Sequence, residues 1–499
     1  MIIINSAAYV NSEFQTEFGK IPPSMLPIGN RKLIEHQYES LVKAFPDETI
    51  LLSLPLSFAC IDQCIDEHLP SELKLAYVPD YFSLAEAILY ILNVECLEVS
   101  PVRLLHGDTL LYEYPSEEDL ITVSDSTDDY IWEHERNNQG KDLVWNGFFS
   151  FSCSKLLTKS LALSKGVFVD AVKHYKNTKT MSVFEIGDWY DLGHINTYFK
   201  SRSRITTQRS FNSLQVASGV VIKKSSTPLK ISSEAQWFKS IPPNLKKYTP
   251  QFIDSGEDKN SDAFYAIEYL PMSPLNEVYV HGLNTASYWT RTYKLLGEFM
   301  AECRTGYNIG SEKTIIEQAN DLYRIKTKRR FSEYISSSNF EKNSTIKYKN
   351  RDIPSLDFIL NDCIERVSLL PIVPAVIHGD LCFSNILFDS RSNSIKVIDP
   401  RGIDESNEFM LFGDQKYDLA KLTHSVLGMY DFIISGRYKI IQSDEGGVEL
   451  LFSDGARVLE IQKSFLSGNY MSEVSVLDCM PLTVLLFLSM LPLHSDNTS

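Results

Sequence analysis

The sequence predicts an α/β protein in two parts: an open, largely parallel sheet with helices on both faces, followed by a two-lobed α+β unit. Three observations carry this expectation. The first 200 residues alternate apolar runs with helix-period segments. Near residue 203 the pattern shifts to alternating strands and then, from Thr285, to a mostly helical remainder. The length of 499 residues accommodates two or three domains at roughly 100–200 residues each. Hydrophobic residues at 43% and charged residues at 22% exclude disorder as a description of the whole chain. The formal net charge of −16 argues against an electrostatic grip on nucleic acid or an anionic membrane.

Strands are expected at residues 2–4, 49–54, 73–78, 102–105 and 119–123, with helices at 32–44 and 84–92 between them. Ligands of such sheets sit at the carboxyl ends of the strands. Residues 125–141 are polar and read as an exposed loop. A last strand at 181–186 leads into a helix at 194–200. In the second part, 211–224 and 264–270 alternate like antiparallel strands. Helices are expected at 286–303, 312–330 and 356–370, and 336–350 reads as a surface loop. The apolar run 481–493 is shorter than the ~20 residues of a membrane span and has proline near each end, so a buried helix is expected. The start, MIIINSAAYV, lacks the basic residues and long apolar run of a signal peptide and reads as a buried strand. Eight scattered cysteines without a CxxC pair fit reduced thiols in a cytoplasmic protein. Cys60 and Cys64 lie one helical turn apart, but no second pair follows at ligand spacing, so ordinary packing is expected.

The strongest local signal is His378-Gly379-Asp380-Leu381-Cys382-Phe383-Ser384-Asn385, followed by Ile395-Lys396-Val397-Ile398-Asp399-Pro400. Phosphoryl transfer from a nucleotide needs a carboxylate to orient the attacking hydroxyl, and Asp380 at a tight loop supplies one. It also needs hard oxygen ligands for a divalent metal, and Asn385 and Asp399 supply an amide oxygen and a carboxylate. This pattern resembles the catalytic loop and metal-binding aspartate of the aminoglycoside phosphotransferase and choline kinase superfamily. The resemblance implies a two-lobed protein-kinase-like fold acting on small molecules, with Mg²⁺ and with ATP as co-substrate. It also implies a strand lysine for the phosphates and a glutamate to hold it. Val220-Val221-Ile222-Lys223 and, eleven residues on, Glu234, which is expected to open the helical stretch Glu234-Ala235-Gln236-Trp237-Phe238-Lys239-Ser240-Ile241, fit these roles, with Lys224 as the register alternative. Ile267-Glu268-Tyr269-Leu270-Pro271 resembles the linker that receives the adenine ring, through backbone groups around Glu268 and Leu270. Gly413–Ala420 resembles a helix start in which Asp418 accepts N–H bonds from the catalytic loop, and His378 is expected to brace that loop. Arg401 is expected to meet an anionic group of substrate or nucleotide, or to pair with a neighbouring carboxylate.

In the first part Gly107-Asp108 ends an apolar strand, and Trp189-Tyr190-Asp191-Leu192-Gly193 follows a late one. Two carboxylates at one sheet rim suit a Mg²⁺ ion bridging a nucleotide and a sugar phosphate. These segments resemble the metal-binding aspartates of sugar-phosphate nucleotidyltransferases, whose fold is a Rossmann-like, GT-A-like open sheet. Met25–Gly29, Leu33–Gln37 and Val144–Phe149 are similar to other parts of that fold. The family opens with a glycine-rich loop that cradles a triphosphate with a basic residue beside it. Here Asn5–Ser12 contains no glycine, and Lys20 is the nearest basic residue.

Together the two resemblances imply a nucleotidyltransferase-like domain at 1–202 and a phosphotransferase-like domain at 203–499, with a small lobe at about 203–275 and a helical lobe at about 276–499. The whole chain resembles two-domain proteins of bacterial capsule and lipopolysaccharide gene clusters. The expected function is phosphorylation of a sugar or alcohol hydroxyl, coupled to nucleotidyl transfer that uses a second triphosphate (CTP, UTP or GTP). The alternative is a single-activity kinase whose first domain only binds. Expected partners are the small acceptor and nucleotides, without nucleic acid or membrane insertion.

Overall fold

The computed structural model describes the chain apart from residues 62–68, 95–100, 127, 129, 131, 137–139, 208–212, 226, 260, 306–311, 339, 350, 443–446, 453–454 and 494–499. Cys64 and Cys96 therefore lie outside the described residues. The chain divides into two units, Met1–Gln208 with His281–Asn284, and Arg209–Val280 with Thr285–Ser499.

The first unit is built on an eight-stranded sheet. Its order is Ser182–Glu185, Leu120–Ser124, Asp142–Phe151, Val102–His106, Ile2–Asn5, Ile50–Pro55 and Lys74–Val78, with His134–Arg136 paired to Asp142–Phe151. Ile2–Asn5 lies parallel to both neighbours, Ile50–Pro55 and Val102–His106. These central strands are apolar almost throughout because both faces are covered; all six residues of Ile50–Pro55 are buried. Asp142–Phe151 runs antiparallel to the strands on either side. Leu33–Ala44 follows a capping box in which the Lys32 N–H donates to Glu35 Oε1 at 3.0 Å. Residues 125–141 are not loop throughout: the exposed three-residue strand His134–Arg136 adds to the sheet edge, too short for its alternation to show in the sequence.

The second unit opens with a four-stranded antiparallel sheet in the order Ser213–Ala217, Val220–Ser225, Ala263–Glu268, Phe252–Glu257. The first two strands join through Ser218 and Gly219, both at positive φ, the two-residue turn that matches the twist of a hairpin. Helix Pro228–Ser240 packs beside this sheet. It starts with proline in its first turn, so Glu234 lies mid-helix rather than opening it as the sequence suggested. The rest is helical, including Ala286–Cys303, Leu356–Ser368, Lys416–Val426 and Met480–Met490. The expected helix 312–330 is divided: Glu312–Asn320 passes through a π-turn, Asp321–Ile325, into Lys326–Ser337. Residues 336–350 also depart from a plain loop, because Ile346–Tyr348 joins a small sheet with Arg351–Ile353, Val448–Phe452 and Tyr438–Gln442. Met480–Met490 buries Leu482, Leu485, Leu486 and Leu488 against neighbouring helices. No helix among the described residues is long and apolar enough to cross a membrane.

Candidate active site

The motif residues of the second unit converge through local geometry. Ile386–Asp389 and Ser394–Val397 form an antiparallel hairpin with Ile386 opposite Val397. Its open end brings Asn385 and Asp399 together, and the Ile398 N–H donates to the Asn385 carbonyl at 3.0 Å. Asp399 takes a left-handed backbone, φ 56°, which turns the chain out of the strand. Gly379 is also left-handed, and a Cβ there would fall 2.8 Å from Arg401 Cβ, so only glycine lets the two loop segments touch. The Arg401 N–H closes that contact on the His378 carbonyl at 2.9 Å.

Asp418 holds the loop from below. Its two carboxylate oxygens accept the His378 and Gly379 N–H groups, each at 2.8 Å. Burial pushes its carboxyl up to about 7 against the opposing pull of those two bonds. The His378 ring is buried, with Nε2 2.9 Å from the Ile398 carbonyl and Nδ1 accepting the Asp380 N–H at 3.3 Å. Burial lowers its pKa to about 4, so it braces the loop as neutral imidazole.

Asp380 itself faces the cavity. Its Oδ1 is 2.9 Å from Lys421 Nζ, and its Oδ2 accepts from Asn385 Nδ2 at 3.1 Å. Burial would raise this carboxyl, but Lys421 outweighs it and holds the pKa below the usual value. Lys421 stands three residues after Asp418 on the same helix face, a spacing readable in the sequence once Asp418 has a role.

The small lobe contributes Lys223. In the sheet register it lies opposite Tyr265, so both side chains share one face. Lys223 Nζ is 2.8 Å from Glu234 Oε2 and 3.1 Å from Asp399 Oδ1. The Tyr265 hydroxyl donates to the same Glu234 oxygen at 2.8 Å. Burial raises Glu234, offset by Lys223. Lys224 points to the other side and pairs with Asp258 at 2.9 Å. Helix Pro228–Ser240, which carries Glu234, is tied to the loop twice. The Trp237 indole donates to the Ile377 carbonyl at 2.9 Å, and a Cβ on Gly402 would fall 2.4 Å from the Ser233 carbonyl oxygen.

Lys223, Glu234, Asp380, Asn385, Asp399, Arg401 and Lys421 line one cavity of about 450 Å³. Glu268 and Leu270 do not line it. Glu268 is exposed, with its carboxylate accepting the Gln251 N–H at 3.2 Å, while the Leu270 carbonyl accepts the Met272 N–H at 2.9 Å. Arg401 pairs with Glu405. Residues the sequence reading missed are Tyr265, Lys421, Glu405 and three further cations of the lining, Lys230, Lys326 and Arg330. The donor set fits a divalent cation: Asp399 Oδ1 serves Lys223 and Tyr265, and its second oxygen together with the Asn385 amide oxygen offers hard ligands.

In the first unit the predicted pair also meets. Trp189–Asp191 pairs with Thr109–Leu111, Asp191 lying opposite Thr109, and the Leu192 N–H donates to the Asp108 carbonyl at 2.9 Å. The two carboxylates flank Gly193: a Cβ there would fall 2.5 Å from Asp108 Oδ2 and 3.4 Å from Asp191 Oδ1. Burial and the charge of Asp191 raise the Asp108 carboxyl to about 6. Two hard carboxylates that repel each other fit a divalent cation. Asp191 is also held by the Gly193 N–H at 3.1 Å, His194 Nδ1 at 3.0 Å and the Thr197 hydroxyl at 2.5 Å. A cavity of about 200 Å³ beside Asp108 is lined by Asn5, Ser6, Ala7, Ala8 and Pro23 among others, and by neither lysine nor arginine. Lys20 lies with its Nζ 4.1 Å from the centroid of the Tyr9 ring.

Among solved structures, chains of two kinds are similar to this one. A nucleoside-diphosphate-sugar pyrophosphorylase from Vibrio cholerae is 15% identical, covering 41% of this chain and 100% of its own, with a TM-score of 0.36. An aminoglycoside-3'-phosphotransferase of type VIII is 15% identical over 58% of this chain and 99% of its own, with a TM-score of 0.34. The aminoglycoside phosphotransferase APH(3'')-Id of Streptomyces rimosus, in complex with ADP and streptomycin, is 12% identical over 57% of this chain and 97% of its own, with a TM-score of 0.33. The nucleotidyltransferase neighbours match the N-terminal part. No family model matches the chain, and a search of curated proteins gives no match.

Proposed function

We propose that the second unit is an ATP-dependent kinase that phosphorylates a hydroxyl of a sugar or other small alcohol. The observation that carries this reading is the convergence of Lys223, Asp380, Asn385 and Asp399 on one cavity. ATP lies in the cleft between the small and helical lobes, with Lys223, fixed by Glu234, on its phosphates. Asn385 and Asp399 hold Mg²⁺, which neutralises phosphate charge. Asp380, kept ionised by Lys421, orients the acceptor hydroxyl for in-line attack and receives its proton. Backbone groups near Glu268 and Leu270 receive the base.

The first unit is proposed as a sugar- or nucleotide-binding domain. A nucleotidyltransferase must neutralise a triphosphate, and the lining beside Asp108 offers neither lysine nor arginine for it, which leaves that charge to a cation held by Asp108 and Asp191. Supply of an activated sugar or alcohol for capsule or lipopolysaccharide in the cytoplasm is the setting that the resemblance suggests.

The test is mass spectrometry of the protein with Mg²⁺, ATP, CTP, GTP and UTP and a panel of sugars and alcohols. The expected result is a phosphorylated acceptor that disappears with Asp380→Ala. Turnover retained by that variant would remove the kinase assignment. A nucleotide adduct lost only in Asp108→Ala would show that the first unit is a second active site.

A further inference from the structure

The cavity at Asp380 is cationic within a strongly acidic chain. Its lining carries Lys223, Lys230, Lys326, Arg330, Arg401 and Lys421 against Glu234, Asp380 and Asp399, while the whole protein has a net charge of −16. Lys223 and Lys230 belong to the small lobe, where the nucleotide phosphates are proposed to lie. The other four come from the helical lobe. Lys326 and Arg330 stand one turn apart on Lys326–Ser337, Lys421 lies on Lys416–Val426, and Arg401 follows the Asp399 turn.

The acids of this lining are already paired. Glu234 and Asp399 contact Lys223, and Asp380 contacts Lys421. Glu405, just behind the wall, is shared by Arg401, by Lys326 at 3.0 Å and by Arg329 at 3.6 Å. One carboxylate thus serves three cations, and the Arg330 guanidinium meets only the Ser489 carbonyl at 3.2 Å among the bonds found for it. Burial, with the neighbouring Arg401, lowers the Lys326 pKa against the opposing pull of Tyr417 and Glu405. An amine-bearing acceptor would find no unpaired carboxylate among the described lining residues and would meet like charge on several sides.

We infer that the acceptor carries an oxyanion, a carboxylate or a phosphate ester, beside the hydroxyl that is phosphorylated, and that Lys326, Arg330 and Arg401 receive it. Arginine forks and lysine points of charge are the groups that bind such anions. This inference rests on the kinase reading. In the transfer itself the acceptor oxygen bonds to the γ-phosphorus, the bond from that phosphorus to the β–γ bridging oxygen breaks, the hydroxyl proton passes to Asp380, and ADP leaves. The second anion remains bound throughout and sets which hydroxyl faces Asp380.

The experiment is calorimetric titration of the full chain, first with a non-hydrolysable ATP analogue and Mg²⁺, then with matched ligands in its presence: glucose, glucosamine, glucuronate and glucose 6-phosphate. Both anionic sugars are expected to bind at least about tenfold more tightly than glucose, and glucosamine more weakly than glucose. The order of the two anions separates a carboxylate from a phosphate acceptor. Lys326→Met with Arg330→Gln should weaken the anions by about tenfold or more, and Lys326→Arg with wild-type Arg330 should keep them, with thermal melts confirming that each variant is folded. Glucose or glucosamine binding as well as the anions, or anion affinity unchanged in the double variant, overturns the inference and leaves the kinase reading standing. An analogue that fails to bind, or that binds equally well to Lys223→Met, overturns the kinase reading and the inference with it.

Discussion

Replacing Lys223 by methionine should cost far more stability than a surface lysine would. The side chains of Lys223 and Glu234 are 7% and 2% exposed, with Nζ and Oε2 2.8 Å apart. Methionine keeps most of the stem volume but leaves a buried carboxylate whose remaining partners are the Tyr265 hydroxyl at 2.8 Å and the exposed Lys230 ammonium at 4.0 Å. Breaking a buried pair in this way costs about 3–5 kcal/mol. At about 2–4 °C per kcal/mol for a unit of this size, the melting temperature should fall by roughly 6–20 °C. Because burial already raises the Glu234 pKa, the variant can relieve part of the cost by taking up a proton, so the deficit should shrink as pH falls. The second change, Glu234→Met, removes the orphaned charge, and the double variant should recover most of the loss. Urea unfolding of the parent, the single and the double variant measures all three values. A single variant within about 1 kcal/mol of the parent would refute the reasoning, as would a double variant no more stable than the single.

Asp380→Asn should lower kcat by about 10²–10⁴-fold, the range for loss of a positioned base, with little change in ATP affinity; single-turnover phosphate transfer and nucleotide titration read the two. Lys421→Met removes the cation that holds the Asp380 carboxyl down, so the acidic limb of the pH–rate profile should move to higher pH, and an unmoved limb would dissociate Lys421 from Asp380. Asp108 has its folded pKa raised from 3.8 to about 6, so its favourable contribution is present below pH ~4 and is lost as pH rises through ~6. Asp108→Asn should therefore stabilise the first unit above pH 6, by up to ~3 kcal/mol, with no gain below pH 4. A pH-independent difference in melting would contradict the burial of that carboxyl. Mg²⁺ should raise the melting temperature of the parent at pH 7.5 and do so less for Asp108→Asn, as expected where a cation binds only the folded pair of carboxylates.

The elements most legible in the sequence were those whose signal is local. The strand Ile50–Pro55 is six consecutive apolar or small residues, and the 378–385 and 395–400 segments place three polar residues on one hairpin and its flanking loop. Tyr265 was not legible because its place beside Lys223 depends on the register between strands some forty residues apart. Lys326 and Arg330 were hidden for a related reason: they fall at the end of the expected helix 312–330 with no local mark, and only the tertiary fold makes them part of the cavity wall. The short strands His134–Arg136 and Ile346–Tyr348 fall below the length at which alternation can be recognised. Helix Pro228–Ser240 starts earlier than its sequence suggests because its first turn, Pro-Leu-Lys-Ile, follows a polar Ser-Ser-Thr stretch that reads as loop.

The two ties on helix Pro228–Ser240 bear on how this site could be switched. An enzyme that controls itself by swinging such a helix outward needs a contact that can slide. Here the Trp237 indole is hooked on the Ile377 carbonyl, and Ser233 rests against the bare α-carbon of Gly402 with no room for so much as a methyl group. Moving the helix would break a buried hydrogen bond and open a gap beside the Asp399 turn together. Glu234 is thus locked in register with that turn, and the ion pair that prepares Lys223 is a standing part of the architecture. On the kinase reading, a mutation that loosened Gly402 would then act on nucleotide handling from a position outside the cavity lining.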